Sequence, residues 1–199
     1  MKDLINFFYE IGSLRHLKRS HIVHMLQDVE SVAEHSQRTI IIAYLLAKKS
    51  GVDPYKTMLM AAFHDLPESR TGDSNWHQKE YVTVNEEKAW NKQLRLMGKE
   101  STEVKKLIKE YYERKSPESR LAKDADNIDY VLSIKELALQ GNEEAKRRLR
   151  NGTSIMNLIY TNIGKSVMSE VLKSKPNEWY QKDRKRTHKK YLVKKPKKK

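Results

Sequence analysis

Residues 53–73 read DPYKTMLMAAFHDLPESRTGD, and they contain a helix start, a helix stop and two acids beyond the stop. Asp53 followed by Pro54 is a typical start, because Asp caps a first turn and proline fits the first helical position. From Met58 to Phe63 the segment is apolar on nearly every side, which predicts a helix surrounded by protein. Pro67 predicts a break directly afterwards.

His64 and Asp65 end this apolar helix, and two interpretations compete. They form an ordinary polar helix end in contact with water, or they reach a buried metal site. Charges inside a protein must be paired or metal-bound, because desolvating them alone is costly. Since the helix is apolar all round, we expect both side chains to lie near the interior.

A further candidate lies in residues 30–51, ESVAEHSQRTIIIAYLLAKKSG. Ser31 and Glu34 form a capping box at the start of this helix, and Gly51 ends it. At about 100° per residue, His35 falls on or beside the apolar face. A hydrogen-bonded core histidine is the alternative to a ligand.

The third candidate helix covers residues 116–141, SPESRLAKDADNIDYVLSIKELALQG. Asp124 projects at the edge of its apolar stripe, whereas Asp126 projects to the far side. The pattern therefore predicts that Asp124 is the buried acid. Its alternative role is an ion pair with Arg or Lys.

The whole chain has the composition of an all-α protein, with only seven glycines and five prolines among 199 residues. We expect one compact helical domain over residues 1–176, followed by a basic, flexible tail over residues 177–199. Further helices are expected over Val84–Met97, Thr102–Lys115, Glu143–Arg150 and Ser154–Lys173.

Most of the net charge of +14 belongs to the tail, since Lys182–Lys199 holds eleven Lys/Arg and one Asp. Such a tail is a solvated end or a nonspecific anchor for polyanions such as RNA. Met1–Gly12 lacks the apolar core of a signal peptide. The longest apolar run, Ile40–Ala47, is far shorter than the ~20 residues that span a bilayer. We expect a cytoplasmic protein without membrane contact.

The absence of cysteine excludes disulfides and thiolate chemistry, so any metal must be held by His, Asp and Glu. Imidazole and carboxylate ligands from three helices suit one divalent ion such as Mn, Co, Fe, Ni or Zn. An open site of this kind activates water or polarises a phosphoryl oxygen.

The order His35, then His64 and Asp65, then Asp124 is similar to the H…HD…D signature of the HD-domain metal-dependent phosphohydrolases. ESVAEHS (30–36), HDLPESRTGD (64–73) and RLAKDADNIDY (120–130) resemble the 5'-deoxynucleotidase branch. The resemblance spans about residues 4 to 150. It implies an all-α HD-domain helical bundle, one divalent metal and release of phosphate from (deoxy)nucleoside 5'-monophosphates, usually by a homodimer.

The resemblance also implies roles for single residues. His35, His64, Asp65 and Asp124 match the metal ligands, and Glu68 matches the acid that orients or deprotonates the attacking water. Asp73 matches a second acid near the substrate, as a proton source or a sugar contact. Arg19 matches the residue that holds the phosphate, a task that suits a guanidinium fork. Ser20 departs from the pattern and puts strict 2'-deoxy selectivity in doubt.

Two other functions fit the same residues. One is a different HD-type activity, a nucleotide pyrophosphohydrolase or phosphodiesterase, which product analysis distinguishes. The other is a basic RNA-associated helical module whose acids form structural ion pairs.

Overall fold

The computed structural model describes residues 1–192, and for residues 185, 186 and 188–192 it describes the backbone alone. Within this range the chain is helical, with a single isolated antiparallel bridge between Lys18 and Ser31 and no strand. The predicted all-α class is confirmed. The helices are α1 Lys2–Gly12, α2 Ile22–Met25, α3 Val32–Ser50, α4 Pro54–Phe63, α5 Glu68–Thr71, α6 Glu86–Met97, α7 Ser101–Glu113, α8 Pro117–Leu139, α9 Glu143–Leu149, α10 Gly152–Met156, α11 Asn162–Lys173 and α12 Glu178–Leu192.

The predicted caps form at the helices that carry the candidate ligands. At the start of α3, Ser31 Oγ accepts the amide of Glu34 at 3.2 Å, and the Glu34 carboxylate accepts the amide of Ser31 at 2.7 Å. Gly51 ends this helix with φ of 72°, a conformation that glycine adopts without strain. Asp53 caps α4 by accepting the amides of Tyr55 and Lys56.

Helix α8 is the central element of the fold, and it packs against α3, α4, α7, α9 and α11. Its buried residues point in every direction around its axis, from Leu121 and Ala122 to Asp126 and Asp129. The main apolar core lies between α8, α3 and α11, and includes Ala43, Leu46, Leu121, Ile128 and Met168. A central helix of this kind presents polar side chains to the interior on more than one face.

A second apolar cluster forms where α1, α6 and α7 cover the site region. Phe7, Trp90, Leu94 and Val104 pack together there with Leu66, which directly follows the HD pair. This layer holds the α4–α5 connection against the rest of the bundle.

The segment predicted as one helix over Ser154–Lys173 is divided in the structure. Helix α10 ends at Met156, and α11 begins at Asn162 after Thr161, whose hydroxyl caps it by accepting the amide of Gly164 at 3.0 Å. The interruption places backbone amides of residues 160 and 161 beside α8, where an acceptor is needed.

Among the described residues, no helix is long and apolar enough to cross a membrane. Residues 178–192 of the basic tail form α12, and residues 193–199 lie outside the described part of the chain.

Candidate metal centre and active site

Three helices bring two imidazoles and two carboxylates together in the interior. His35 comes from α3, His64 and Asp65 follow α4, and Asp126 comes from α8. One ligand atom from each of His35, His64 and Asp126 lies within 4.8 Å of the others. Asp65 Oδ2 lies 3.1 Å from His64 Nε2 and 3.5 Å from His35 Nε2. We call these four residues the HD cluster.

Both imidazoles are oriented through their other ring nitrogen. His35 Nδ1 donates to Asp129 Oδ2 at 2.5 Å, and His64 Nδ1 donates to the carbonyl of Ala61 at 2.8 Å. The two Nε2 atoms therefore face the HD cluster, and neither is hydrogen-bonded within residues 1–192. A metal-ligating histidine typically donates its second N–H to a carboxylate or a carbonyl. The donor set fits a divalent metal.

The structure does not bring Asp124, a predicted metal ligand, into this cluster. Asp124 is fully buried, as predicted, but its Oδ1 accepts the amide of Tyr160 at 2.7 Å. Its Oδ2 accepts the amide and hydroxyl of Thr161 at 3.0 and 2.6 Å. Asp124 thus accepts hydrogen bonds from the helix break before α11, and within the described part of the chain it forms no ion pair. Asp126, two residues later, takes the expected place in the HD cluster.

The two carboxylate oxygens of Asp126 face different partners. Oδ1 lies 3.2 Å from His35 Nε2, whereas Oδ2 accepts from the ammonium of Lys123 at 2.6 Å. Burial opposes ionisation, but Lys123 and the imidazoles hold the pKa of Asp126 well below its usual range. Asp126 is therefore a carboxylate whose Oδ1 is directed at the imidazoles.

Arg19 borders the HD cluster on the side of the N-terminal segment. Its Nη1 donates to Asp65 Oδ2 at 3.0 Å, and its Nε lies 3.4 Å from Asp73 Oδ2. Asp73 Oδ2 also accepts the amide of Ser20 at 2.9 Å. Arg19 and Asp73, two residues predicted for substrate contact, are thus brought together beside the candidate ligands.

Glu68 opens the short helix α5, and its Oε2 is buried without a hydrogen-bond partner among the described residues. Burial, together with the carboxylates of Asp65 and Asp73, raises the pKa of Glu68 to about 10. Burial and Arg19 lower the pKa of His35, but Asp126 and Asp129 raise it more, to about 9. Both shifts reflect crowded carboxylates, whose repulsion a bound cation relieves.

A network outside the HD cluster fixes the position of α5. The carboxylate of Glu10 accepts from Arg70 Nη2 at 2.6 Å, from Ser69 Oγ at 3.1 Å and from Gln93 Nε2 at 2.8 Å. The buried Gln93 also donates to the carbonyl of Leu66 at 2.9 Å. These bonds fix the chain on both sides of Glu68, at Leu66 before it and at Ser69 and Arg70 after it.

A cleft of about 880 Å³ opens beside the HD cluster, and Arg19, Asp73 and Asp126 are among the residues that line it. The volume lies in the range of about 300–1,000 Å³ that is typical of small-molecule sites. Its lining also includes aromatic and basic side chains, namely Trp76, Lys79, Lys123, Tyr130, Arg147 and Arg148. The arrangement can receive a phosphorylated ligand with its phosphate next to Arg19.

Sequence reasoning missed three residues of this site, Lys123, Asp126 and Asp129. All three lie on α8 at a spacing of three residues, so they share one side of the helix. That spacing in KDADNID was the available signal, since charged residues recurring along one face of a mostly buried helix need partners or a metal.

Comparison with known proteins identifies the family to which this chain belongs. The profile of the family described as HD domain matches residues 11–166, and the chain belongs to this family. It is 31% identical over 166 residues to 5'-deoxynucleotidase HDDC2 of Dictyostelium discoideum, covering 76% of this chain and 86% of that protein. It is 23% identical over 168 residues to 5'-deoxynucleotidase hdd1 of Schizosaccharomyces pombe, covering 79% and 82%. A crystal structure of a protein from Pyrococcus horikoshii OT3 superposes with a TM-score of 0.69 at 26% identity, covering 85% of this chain and 98% of the other.

Proposed function

We propose that this protein is a divalent-metal-dependent phosphohydrolase that releases phosphate from (deoxy)nucleoside 5'-monophosphates. The observation that carries the proposal is the pair of buried Nε2 atoms of His35 and His64. They face Asp65 and Asp126, and Asp126 also lines a ligand-sized cleft. The relatives named as 5'-deoxynucleotidases support the substrate class.

We propose His35, His64, Asp65 and Asp126 as the metal ligands, with Asp126 in place of Asp124. A bound divalent ion supplies Lewis acidity, which activates water and stabilises negative charge on the phosphoryl oxygens. Asp129 and the carbonyl of Ala61 accept hydrogen bonds from the Nδ1 atoms, and so turn both Nε2 atoms toward the position that a metal would occupy.

Arg19 is the proposed phosphate-binding residue. Its guanidinium lies between two carboxylates, and the charges of Asp65 and Asp73 keep it firmly protonated by raising its pKa further, despite its burial. A guanidinium donates two parallel hydrogen bonds to a phosphate, so it both orients the group and stabilises charge that develops during transfer.

Glu68 is the residue proposed to accept the proton of the attacking water. In hydrolysis the ester P–O bond breaks, a P–O bond to water forms, and the proton of that water passes through the site to the leaving 5'-oxygen. Burial and the carboxylates of Asp65 and Asp73 raise the pKa of Glu68. The positive charge of a bound metal would favour the carboxylate form of Glu68, which could then accept the proton from water.

Asp73 is the proposed sugar contact. Its Oδ2 already accepts from the Ser20 amide and lies 3.4 Å from Arg19 Nε, so the side chain acts as a hydrogen-bond acceptor in this position. A carboxylate in this position accepts a hydrogen bond from a sugar hydroxyl.

The proposal is tested with purified protein, a panel of ribo- and deoxynucleotides and added Mn²⁺ or Co²⁺. We expect inorganic phosphate and a nucleoside as products from 5'-monophosphates, and no activity in His64→Ala protein whose circular dichroism matches the wild type. Pyrophosphate as the product would indicate a pyrophosphohydrolase instead. Wild-type protein that binds no metal and releases no phosphate would refute the proposal.

Three further expectations from the sequence belong with this proposal. A homodimer is supported by the exposed apolar side chains of α1, Ile5, Phe8 and Tyr9, and light scattering measures the assembly. Polyanion binding by the tail is supported by its charge and is tested by truncation after Pro176. The cytoplasmic location stays a prediction.

A further inference from the structure

The connection between α5 and α6 begins at the site and forms part of the cleft wall. It leaves Asp73, which is fixed to Ser20 and Arg19, and residues 74–77, 79 and 80 line the cleft. We call residues 73–82 the cleft loop. Any side chain near its start is held close to the proposed phosphate and sugar contacts.

Trp76 lies in this loop with 88% of its surface exposed. A large exposed indole offers apolar surface to a ligand, because contact with the ligand removes that surface from water. Trp76 lines the same cleft as Arg19 and Asp73, and it follows Asp73 by three residues. It is therefore an aromatic surface on the wall of the cleft that Arg19 and Asp73 also line.

The turn that carries Trp76 is held by its neighbours on both sides. The amide of Asn75 donates to Gln78 Oε1 at 3.0 Å, and the amide of Gln78 donates to Asn75 Oδ1 at 3.0 Å. Asn75 is buried, and its carbonyl accepts the amide of Lys79 at 3.1 Å. This reciprocal pairing orders the backbone of the turn while leaving the indole in solvent.

Positive charge accompanies the indole. Lys79 Nζ lies 5.9 Å from the centre of the Trp76 ring, and Arg147 and Arg148 from α9 line the same cleft. Arg148 is itself held by Tyr130, whose hydroxyl lies 2.6 Å from its Nη1. An aromatic face bordered by cations is the usual composition of a site that stacks a nucleobase beside a phosphate.

We propose that Trp76 stacks on the base of the bound nucleotide and so determines the preference for nucleotides over base-free sugar phosphates. This inference rests on the proposed function. A stack on a ring face is tolerant of base identity, because every base has a π face. Trp76 therefore sets affinity for the nucleotide class with little discrimination among adenine, guanine, cytosine and thymine.

The kinetic test compares Trp76→Ala with wild type on deoxynucleoside 5'-monophosphates and on 2-deoxyribose 5-phosphate. Base stacking on an aromatic side chain is worth roughly 1–3 kcal/mol, so we expect KM for the nucleotides to rise about tenfold or more. We expect kcat to stay within about twofold, because chemistry occurs at the HD cluster. The constants for the base-free sugar phosphate should not change, and Trp76→Phe should restore most of the affinity.

The matched control is Trp179→Ala. Trp179 is also strongly exposed, but it lies on α12 against Tyr180 and is not among the described residues that line the cleft. It should leave all constants unchanged. If Trp76→Ala leaves KM for the nucleotides within about twofold while wild type hydrolyses them, the stacking proposal is wrong and the proposed function stands. If wild type hydrolyses no nucleotide, the proposed function itself fails.

A binding measurement gives a readout besides activity. In Glu68→Gln protein loaded with zinc, titration with deoxyadenosine 5'-monophosphate should quench tryptophan fluorescence. Adding Trp76→Phe to that variant should abolish the quenching, because Trp90 is buried and Trp179 lies on α12. Equal quenching with and without Trp76 would overturn the proposal.

Discussion

His35 Nδ1 donates to Asp129 Oδ2 at 2.5 Å, and this bond directs the opposite ring nitrogen into the HD cluster. Asp129 is fully buried and is also held by Arg38, whose Nη1 donates to Glu136 at 2.7 Å. The orientation of His35, a proposed ligand, is thus set by the carboxylate of Asp129. Asp129 lies about one helical turn after Asp126, another proposed ligand.

Asp129→Asn is predicted to weaken metal binding without removing a ligand. Loss of the carboxylate that orients a ligating histidine typically costs about 10- to 100-fold in metal affinity. Titration calorimetry with Zn²⁺ checks this. The control is Glu136→Gln, which alters the other partner of Arg38 and should leave the affinity unchanged. If the Zn²⁺ affinity of Asp129→Asn equals that of the wild type, Asp129 does not orient a metal ligand.

Glu68→Gln is predicted to lower kcat and to keep the metal. General acid–base groups contribute typically about 10²- to 10⁴-fold, and we expect a loss in that range with bound metal unchanged. Steady-state kinetics and elemental analysis measure the two quantities. Glu80→Gln, which changes an exposed acid lining the same cleft, is the control. Full activity in Glu68→Gln would argue against its role in proton transfer.

Glu10→Gln is predicted to destabilise the fold at neutral pH and to have a smaller effect in acid. Hydrogen bonds from Arg70 hold the pKa of Glu10 below its usual range, assisted by Gln93 and Ser69 and opposed by burial. A lowered folded pKa contributes stability above the unfolded value, and this is lost as pH falls through the folded pKa. We expect a loss of about 1–2 kcal/mol near pH 7, since bonds to a charged group are replaced by neutral ones.

Urea unfolding of wild type and Glu10→Gln from neutral pH to about pH 3.5 measures this difference. Glu170→Gln is the control, because its ion pair with Lys173 is strongly exposed and should contribute little. A difference that grows in acid would contradict the assigned sign.

Gly164→Ala is predicted to destabilise the contact between α8 and α11. An added Cβ would lie 2.3 Å from Asp124 Oδ2 and 2.8 Å from Ile159 Cγ2, so both neighbours must move. Overpacking of this kind typically costs about 1–3 kcal/mol. Thermal unfolding checks it, with Gly152→Ala as the control because its Cβ would meet only Leu172 at 4.0 Å among the described residues. Equal melting of the two variants would contradict the structural role given to Asp124.

Local chemistry made much of the fold predictable from sequence. The capping box at Ser31, the Asp53–Pro54 start and Gly51 each act within one turn, and each defines the helix end it predicted. The interruption between α10 and α11 was missed, because it depends on Asp124, a residue 36 positions from Tyr160. Long-range partners of this kind are invisible to periodicity.

Some residues of the candidate site were predictable from the local sequence pattern, and others were not. His35, His64 and Asp65 were predicted to point inward because each ends or lies on an apolar helix surface, and the structure brings the three side chains together. Asp126 was missed because α8 is buried on more than one side, so its apolar stripe does not mark every face that points inward. The resemblance indicated the order of the ligands but did not distinguish Asp124 from Asp126 within KDAD. The apolar stripe favoured Asp124, which is the acid that supports α11.

The most direct test compares the metal content of Asp126→Ala and Asp124→Asn after saturation with Zn²⁺ and removal of the excess. We predict that wild type retains one zinc ion per chain, Asp126→Ala retains little and loses phosphatase activity, and folded Asp124→Asn keeps the metal with reduced thermal stability. Asp126→Ala protein that keeps the ion and the activity would contradict the assignment of the HD cluster as the metal centre.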